Sequence, residues 1–431
     1  MKMSNIGLEG IKVVDLTAYV AGPACPRILG EMGATVYKIE PFTGDEQRTQ
    51  GASWGMNHKT KFDDAAFDMS SMNKKWLSIN LKSPEGQALI YKLIGDADIV
   101  ITSFRDGALK RLGLDYETLS GKFPHIVWGQ MRGYGERGPE RDAKGFDATS
   151  YSARGGLVMS FPQANEHFEP GNAPIAIGDW NACVALTAGV LAALVRRLRS
   201  GKGDKVVVNL YHCAVWAMTS AVVARQQGAE YPKDRKNAPC PTNNSYKSRD
   251  GIWFIICFGN YNKYFELVMT TMGLDHLVGN KDYDTLEVIG ETGAYRQVIK
   301  WMEEAFAQQD FAYWETLFKE RDIPFQKCFT VDDILEDQEA FDNDILRKIH
   351  YDALGEYTVT TTPIRIKSVG DPVLYRSRPI GYDTREVMRE YGYSNEQIDA
   401  MTTDGQVLCY SEEPAPESVL NPSFGIDSIK R

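Results

Sequence analysis

The chain has 431 residues, a net charge of −10 and an ordinary hydrophobic content of 43%. That length allows two or three domains with sizeable cores. The acidic balance excludes nucleic acid as a general partner, because phosphate backbones are held by clustered Lys and Arg. A local basic pocket for a phosphorylated ligand stays open. Seven cysteines stand apart with no Cys-x-x-Cys pair, and six histidines show no His-x-x-x-His spacing, so neither a disulfide framework nor a metal site is expected. The scattered thiols fit a reducing cytoplasm. Met1–Gly10 lacks an apolar signal core and no stretch reaches about 18 apolar residues, so a soluble cytoplasmic protein with no membrane partner is expected.

In chain order, Ile11–Leu16 reads as a strand, Ala21-Gly22-Pro23 as a turn, Ala24–Met32 as a helix and Thr35–Glu40 as a second strand. This strand–helix–strand unit is the signature of a parallel sheet. Trp76–Leu81 continues it. Ser83-Pro84 then opens a helix, with Ser as cap and Pro at the first position. Asp98–Ser103, Ile126–Gln130 and Lys205–Leu210 are further strands, and Tyr211–Gln227 is a mostly apolar helix. The polar run 228–249 reads as a linker. Gly251–Cys257 is a strand, followed by helices over Tyr261–Met272, Ala294–Ala307 and Phe311–Arg321, the last capped by Asp310. From about Ile349 the chain returns to extended segments and ends in helices after Asp383 and Ser394, where Ser394 and Gln397 form a capping box. The fold class is therefore α/β, with a parallel-sheet domain in 1–227, a smaller α+β domain in 228–348, and extended segments and helices in 349–431. The tail after Glu412 could cover a partner surface.

Two glycine patterns fail on context. Gly133-Tyr134-Gly135-Glu136-Arg137-Gly138 fits G-x-G-x-x-G, but Pro139-Glu140-Arg141-Asp142 follows where a dinucleotide site needs an apolar helix. Gly51-Ala52-Ser53-Trp54-Gly55 fits a nucleophile elbow, but a polar run precedes it where an apolar strand is required. Trp54 is left as a pocket or flap residue. The turn Tyr19-Val20-Ala21-Gly22 is more informative: it leads a strand into a helix, so backbone N–H groups converge at a positive helix end. An ordinary strand–helix turn looks the same. Lys74, Lys75, Arg105 and Arg111 are candidate phosphate contacts, although solvated surface charge is the commoner role of such residues.

Asp179, in Ile177-Gly178-Asp179-Trp180-Asn181, precedes a helix expected from about Asn181 to Arg199. Its bland role is a helix cap. A helix end also holds a carboxylate ionised, the state a nucleophile needs. Ala182, Ala185, Ala188, Gly189, Ala192 and Ala193 behind it let a neighbouring backbone approach.

The run Gly10-Ile11-Lys12-Val13-Val14-Asp15-Leu16…Ala21-Gly22-Pro23-Ala24…Leu29-Gly30…Met32-Gly33-Ala34…Lys38-Ile39-Glu40…Gly44-Asp45 resembles the class III CoA-transferases, the formyl-CoA and carnitine CoA-transferase type. Asn73-Lys74-Lys75, Gly107-Ala108-Leu109, Gly133-Tyr134-Gly135, Gly145-Phe146-Asp147 and Gly178-Asp179 extend the likeness in order. The resemblance implies that Asp179 is the nucleophile, that Val20-Ala21 lies at the CoA thiol end and supplies oxyanion donors, and that Lys74, Arg111 and Lys144 contact CoA. It also implies a large Rossmann-like domain built from both chain ends, with 349–431 returning to it, and two subunits interlocked as a homodimer. CoA would be a substrate, with no permanently bound cofactor. Phe146, Asp147, Trp54 and Tyr246 are candidate substrate-pocket residues.

There are departures. Val20 stands where oxalate-type enzymes have Gln, Pro41 where they have Arg, and Cys240–Ser245 where they have a glycine run. Oxalate and formate are therefore not expected as substrates. The insertion Gln50–Met72, Ser152-Ala153-Arg154-Gly155-Gly156, Ser245-Tyr246-Lys247-Ser248 and Asp332–Asp337 bring the chain nearer to the clostridial 2-hydroxyacyl subgroup, of the cinnamoyl-CoA:phenyllactate type. The acceptor would then be a 2-hydroxy acid such as phenyllactate or 2-hydroxyisocaproate. The alternatives are a thioesterase using Ser53, an α-methylacyl-CoA racemase-like enzyme using His125 or His167 with Asp179, and a non-catalytic acyl-CoA binder.

Overall fold

The computed structural model describes residues 7–56, 58–164 and 167–411. One unit takes the chain up to Leu157, Asn172–Val222 and the chain from Gln338; a second takes Val158–Gly171 and Val223–Asp337. In the first, β1 (Lys12–Leu16), β2 (Thr35–Glu40), β3 (Lys75–Ile79), β4 (Ile99–Thr102), β5 (Val127–Arg132) and β6 (Lys205–Asn209) pair in parallel. Helix α1 (Ala21–Glu31) joins β1 to β2, and α2 (Pro84–Asp96) joins β3 to β4. Further on come α3 (Asp106–Leu112), α4 (Ile177–Ser200), α5 (Leu210–Ala217) and α6 (Thr219–Gln226).

The second unit holds an antiparallel sheet of β7 (Asn243–Lys247), β8 (Trp253–Cys257) and β9 (Phe325–Lys327). Helices Tyr261–Thr271, Tyr295–Phe306 and Phe311–Glu320 pack their aromatic faces in its core, with Phe306, Phe254, Trp314 and Phe318 buried together. The chain then returns to the first unit through the hairpin β10 (Leu346–Tyr351) and β11 (Gly355–Thr360). It ends its described part with β12 (Val407–Leu408), antiparallel to β3.

The large sheet runs in the order β12-β3-β2-β1-β4-β5-β6. The order reverses between β1 and β4, so the two loops leaving their carboxyl ends open a crevice, where doubly wound sheets bind ligands. The strands read as near-continuous apolar runs because both sheet faces are covered. On β1, Val13 points into a core shared with Ile28 of α1 and Leu186 and Val190 of α4. Val14, one residue on, points to the other face with Leu89 of α2, Val387 and Ile398. Ser83 accepts from Gly86 N–H at the start of α2, and the Ser394–Gln397 capping box closes as the spacing predicts.

The structure corrects several readings. α1 begins at Ala21 rather than Ala24, since Pro23 is tolerated in a first turn, where its missing N–H has no helical partner. The expected linker contains β7: Asn244 and Tyr246 face inward, a two-residue period hidden by polar residue types. Asp310 precedes its helix but makes no side-chain cap bond, because Arg249 engages its carboxylate at 2.9 and 2.8 Å. The expected helix 211–227 breaks at Met218 into α5 and α6. Among the described residues α4 is the one helix long and apolar enough to cross a membrane by length and composition; its Ala182, Cys183, Leu186 and Val190 lie in the core of the first unit. The tail after Glu412 lies outside the described residues.

Candidate active site

The crevice between β1 and β4 is floored by the turn Thr17-Ala18-Tyr19-Val20. Ala18 N–H donates to Ser103 Oγ at 2.9 Å, tying the two crevice loops together. Tyr19 adopts φ 69°, a left-handed conformation that costs a bulky residue of order 1–3 kcal/mol. Its neighbours impose it. Tyr19 N–H donates to Asp45 Oδ1 at 3.1 Å, and Ser70 Oγ donates to its carbonyl at 3.2 Å. Lys38 Nζ in turn holds Thr17 O at 2.5 Å and Asp45 Oδ2 at 2.8 Å. Val20 caps α1 and Ala21 opens it, both buried. The first-turn N–H groups of this helix have no intrahelical acceptor and are available to an anion.

Lys74 lies beneath this turn and is not placed as a surface phosphate contact. Its ammonium is fully buried, donating to Asp15 Oδ2 and Pro23 O at 2.9 Å each. Burial pulls it down to about 8 despite the Asp15 charge. Burial works to raise the Asp15 carboxyl, and Lys38 and Lys74 together hold it below its ordinary value. Arg105, Arg111 and Lys144 are exposed, and none has a carboxylate partner among the described residues. Arg105 directly precedes α3 at the carboxyl end of β4, and Arg111 lies in the last turn of that helix.

Asp179 is not the cap of its helix. α4 starts at Ile177, so Asp179 is its third residue. The N-cap, Ala176, sits at φ 60° and has no side chain to cap with. Asp147, remote in sequence, performs the capping: its Oδ1 accepts from Gly178 N–H at 2.6 Å. It reaches there because Gly133 and Gly145 cross closely at the end of β5; a Cβ on Gly133 would stand 2.5 Å from Gly145 Cα. Gly178 has no room either, since a Cβ there would meet Tyr151 Cγ at 2.1 Å and Asp147 Oδ1 at 2.5 Å. Phe146, 48% exposed, packs edge-on against Tyr19 with centroids 5.4 Å apart. This contact links the β1–α1 turn to the Asp147–Gly178-Asp179 cluster.

The expectation that the helix end keeps Asp179 ionised meets two opposing effects. Burial and then the Asp147 charge push the half-buried Asp179 carboxyl up to about 8. Among the described residues no cation pairs with it and no group donates to it. Burial also raises Asp147, against the Gly178 and Asp179 N–H groups that favour its charge.

Tyr246 is not a pocket residue. It is fully buried in the second unit, its hydroxyl donating to Pro241 O at 2.6 Å and its ring against Phe306. Trp54 ends a short 3-10 turn, half-buried, with no hydrogen bond or ring contact to Asp179 among the described residues. Ser53 Oγ is exposed and donates to Gln50 O, and among the described residues no His, Asp or Glu is hydrogen-bonded to it. His125 binds Ala97 O at the amino ends of β4 and β5, the opposite edge of the sheet from the crevice. His167 falls in the second unit. Turns and irregular backbone, not a helix, directly follow Gly133–Gly138. Among the described residues no group of three or more His, Cys, Asp or Glu could hold a metal ion.

Sequence reading singled out the turn at Tyr19 but gave no role here to Lys38, Asp45, Ser103 or Tyr151. The available signal was charge inside apolar strands, Asp15 in β1 and Lys38 in β2.

The model of CoA-transferase family III matches residues 8–384. The chain is 34% identical to the (R)-2-hydroxy-4-methylpentanoate CoA-transferase of Clostridioides difficile, covering 94% of this chain and 100% of that one. It is also 34% identical to the cinnamoyl-CoA:phenyllactate CoA-transferase of Clostridium sporogenes, over 94% and 98% of the two chains. A CAIB/BAIF family protein from Brucella suis superposes with a TM-score of 0.71 at 25% identity, over 90% of this chain and 100% of that one. Rv3272 from Mycobacterium tuberculosis superposes at 0.75 and 22% identity, over 88% and 98%, a likeness of fold alone. A family match across most of the chain, with two relatives aligned almost end to end, decides the assignment: the chain belongs to the family III CoA-transferases.

Proposed function

We propose that this enzyme moves CoA from an acyl-CoA to a 2-hydroxy acid, with Asp179 as the nucleophile. The observation that carries the nucleophile is the state of Asp179: half-buried in the first turn of α4, without cation or hydrogen-bond donor among the described residues. A 2-hydroxy acid acceptor is supported by the two clostridial relatives, whose names give 2-hydroxy-4-methylpentanoate and phenyllactate.

In this reading an Asp179 oxygen attacks the thioester carbon, the C–S bond breaks, and CoA leaves as thiolate, forming an acyl–aspartyl anhydride. The thiolate attacks the aspartyl carbonyl, releasing the donor acid as carboxylate and leaving an aspartyl–CoA thioester. The acceptor carboxylate attacks that thioester, and the thiolate returns to the acceptor's acyl carbon, restoring the Asp179 carboxylate. One thioester replaces another, so no nucleotide is consumed. Each tetrahedral oxyanion needs fixed donors, and the first-turn N–H groups at Val20-Ala21 are the candidates. Arg105, Arg111 and Lys144 supply exposed positive charge for the CoA phosphates. Phe146, beside Tyr19, offers an apolar wall for the acyl side chain. The enzyme acts without a permanent cofactor in a reducing cytoplasm, which its seven free cysteines suit.

A second copy of the chain completes the molecule. α6 buries none of its residues, Val184, Val195 and Leu198 of α4 are exposed, and Trp216 of α5 is 76% exposed. Exposed apolar surface of this kind marks an interface.

The test is CoA exchange followed by mass spectrometry, with an acyl-CoA panel and (R)-2-hydroxy acids, and Asp179→Ala in parallel. Exchange by the wild type and none by the variant, with CoA still bound, supports the reading. Turnover surviving in Asp179→Ala removes Asp179 as nucleophile. Thioester loss without acceptor, or inversion at the α-carbon, points to hydrolysis or racemisation.

A further inference from the structure

Two carboxylates meet at the start of α4, and only one is given donors. Asp147 Oδ1 takes the Gly178 N–H at 2.6 Å, and the Asp179 N–H also favours the charge on Asp147. The partial positive charge of a helix end resides on just these unsatisfied first-turn N–H groups. A carboxylate in the third helical position ordinarily shares in it, often by reaching back to the N-cap N–H. Here the side chain of Asp179 makes no such bond. Steric fit keeps the arrangement in place: with no Cβ on Gly178, the Asp147 carboxylate and the Tyr151 ring lie directly against the helix turn.

We propose that Asp147 is a positioning residue: its carboxylate takes the donors of the α4 terminus, and so leaves Asp179 an unpartnered nucleophile. This goes beyond a pocket-lining role and rests on the reading of Asp179 as the nucleophile. The physical gain is nucleophilicity. A carboxylate stabilised by two N–H donors is a poor nucleophile, whereas one deprived of donors beside a like charge is more basic and attacks faster once ionised. The raised titration of Asp179, caused by burial and Asp147, agrees with this. The other titratable groups facing the pair do not compete. Burial raises Tyr151, Cys183 and Cys213, so all three stay neutral. Arg27, whose charge bears on Cys183, is committed to Glu31, Met69 O and Thr360 O.

Asp147→Asn separates this role from simple capping, because an amide oxygen still accepts the Gly178 N–H while the charge is gone. The Asp179 carboxyl is titrated by isotope-edited infrared spectroscopy on protein carrying carboxyl-13C aspartate, with Asp179→Asn as the blank, and CoA exchange is measured alongside. We expect the Asp179 midpoint to fall by about one pH unit or more in Asp147→Asn. We expect kcat above the midpoint to fall about tenfold, with the KM for acyl-CoA nearly unchanged and the melting temperature close to wild type. Asp147→Glu, which keeps the charge, should recover part of the rate. An Asp179 midpoint unmoved in Asp147→Asn overturns the proposal whether or not the enzyme turns over. Failure of the wild type to exchange CoA with any acid overturns instead the nucleophile reading on which it rests, and the infrared midpoint still decides whether Asp147 controls Asp179.

Discussion

Lys74 Nζ lies 2.9 Å from Asp15 Oδ2, and neither side chain reaches solvent. Lys38 stands 4.0 Å from the other Asp15 oxygen, equally buried, and holds Asp45 at 2.8 Å. This charge cluster lies under the turn that presents Val20 and Ala21, so a residue expected to bind CoA instead supports the crevice from below. Removing one member strands a buried charge. Lys74→Met should therefore cost about 3–5 kcal/mol of stability, read by urea denaturation. Pairing it with Asp15→Leu should recover much of that loss. A lysine acting only as a surface phosphate contact would raise the KM for acyl-CoA and leave stability unchanged.

The raised Asp179 carboxyl predicts a pH dependence. A nucleophile must be ionised, so kcat/KM for acyl-CoA should climb with pH and level off above a midpoint near about 8. Stability runs the opposite way. The native state holds a proton that the unfolded chain releases in the ordinary carboxylate range. Stability from this group is thus fully present below that range and is lost as pH rises through about 8. Asp179→Asn should consequently gain stability over wild type at about pH 9 and less at about pH 5. The difference is of order 1–3 kcal/mol after allowance for partial exposure, measured by calorimetry at both values.

Gly178→Ala tests the packing at the site. Its Cβ would fall 2.1 Å from Tyr151 Cγ and 2.5 Å from Asp147 Oδ1. The helix start must shift, costing about 1–3 kcal/mol and displacing Asp179. CoA exchange should drop about a hundredfold or more. An active Gly178→Ala enzyme with unchanged melting would mean that the contact is looser than described.

Tyr246→Phe distinguishes core from pocket. The hydroxyl donates to Pro241 O inside the second unit. Losing that bond should lower stability by about 1–2 kcal/mol and leave the acid preference in CoA exchange unaltered. A changed preference would return Tyr246 to the substrate site.

Much of the frame was legible in the residues. The apolar strands of the large sheet, the Ser83-Pro84 helix start and the Ser394–Gln397 box are local patterns, set by periodicity and by the donors a helix end leaves free. The ordered run of short segments from Gly10 to Asp179 carried the family. Local rules misled where a distant side chain had the better claim. Asp310 looks like a cap, but Arg249 takes it; Asp179 looks like a cap, but Asp147 performs that role from 31 residues away in sequence. Lys74 reads as a phosphate contact or solvated charge, yet Asp15 draws its ammonium inward.

By itself, then, the sequence determined the parallel α/β sheet and the family of reaction, because apolar runs, caps and short motifs act over a few residues. Only the tertiary structure decided which charges are buried, that Asp147 and not Asp179 holds the helix end, and that Tyr19 is forced into a left-handed turn by Asp45 and Ser70. Burial and like-charge proximity are sums over residues remote in sequence, and they set the protonation of Asp179.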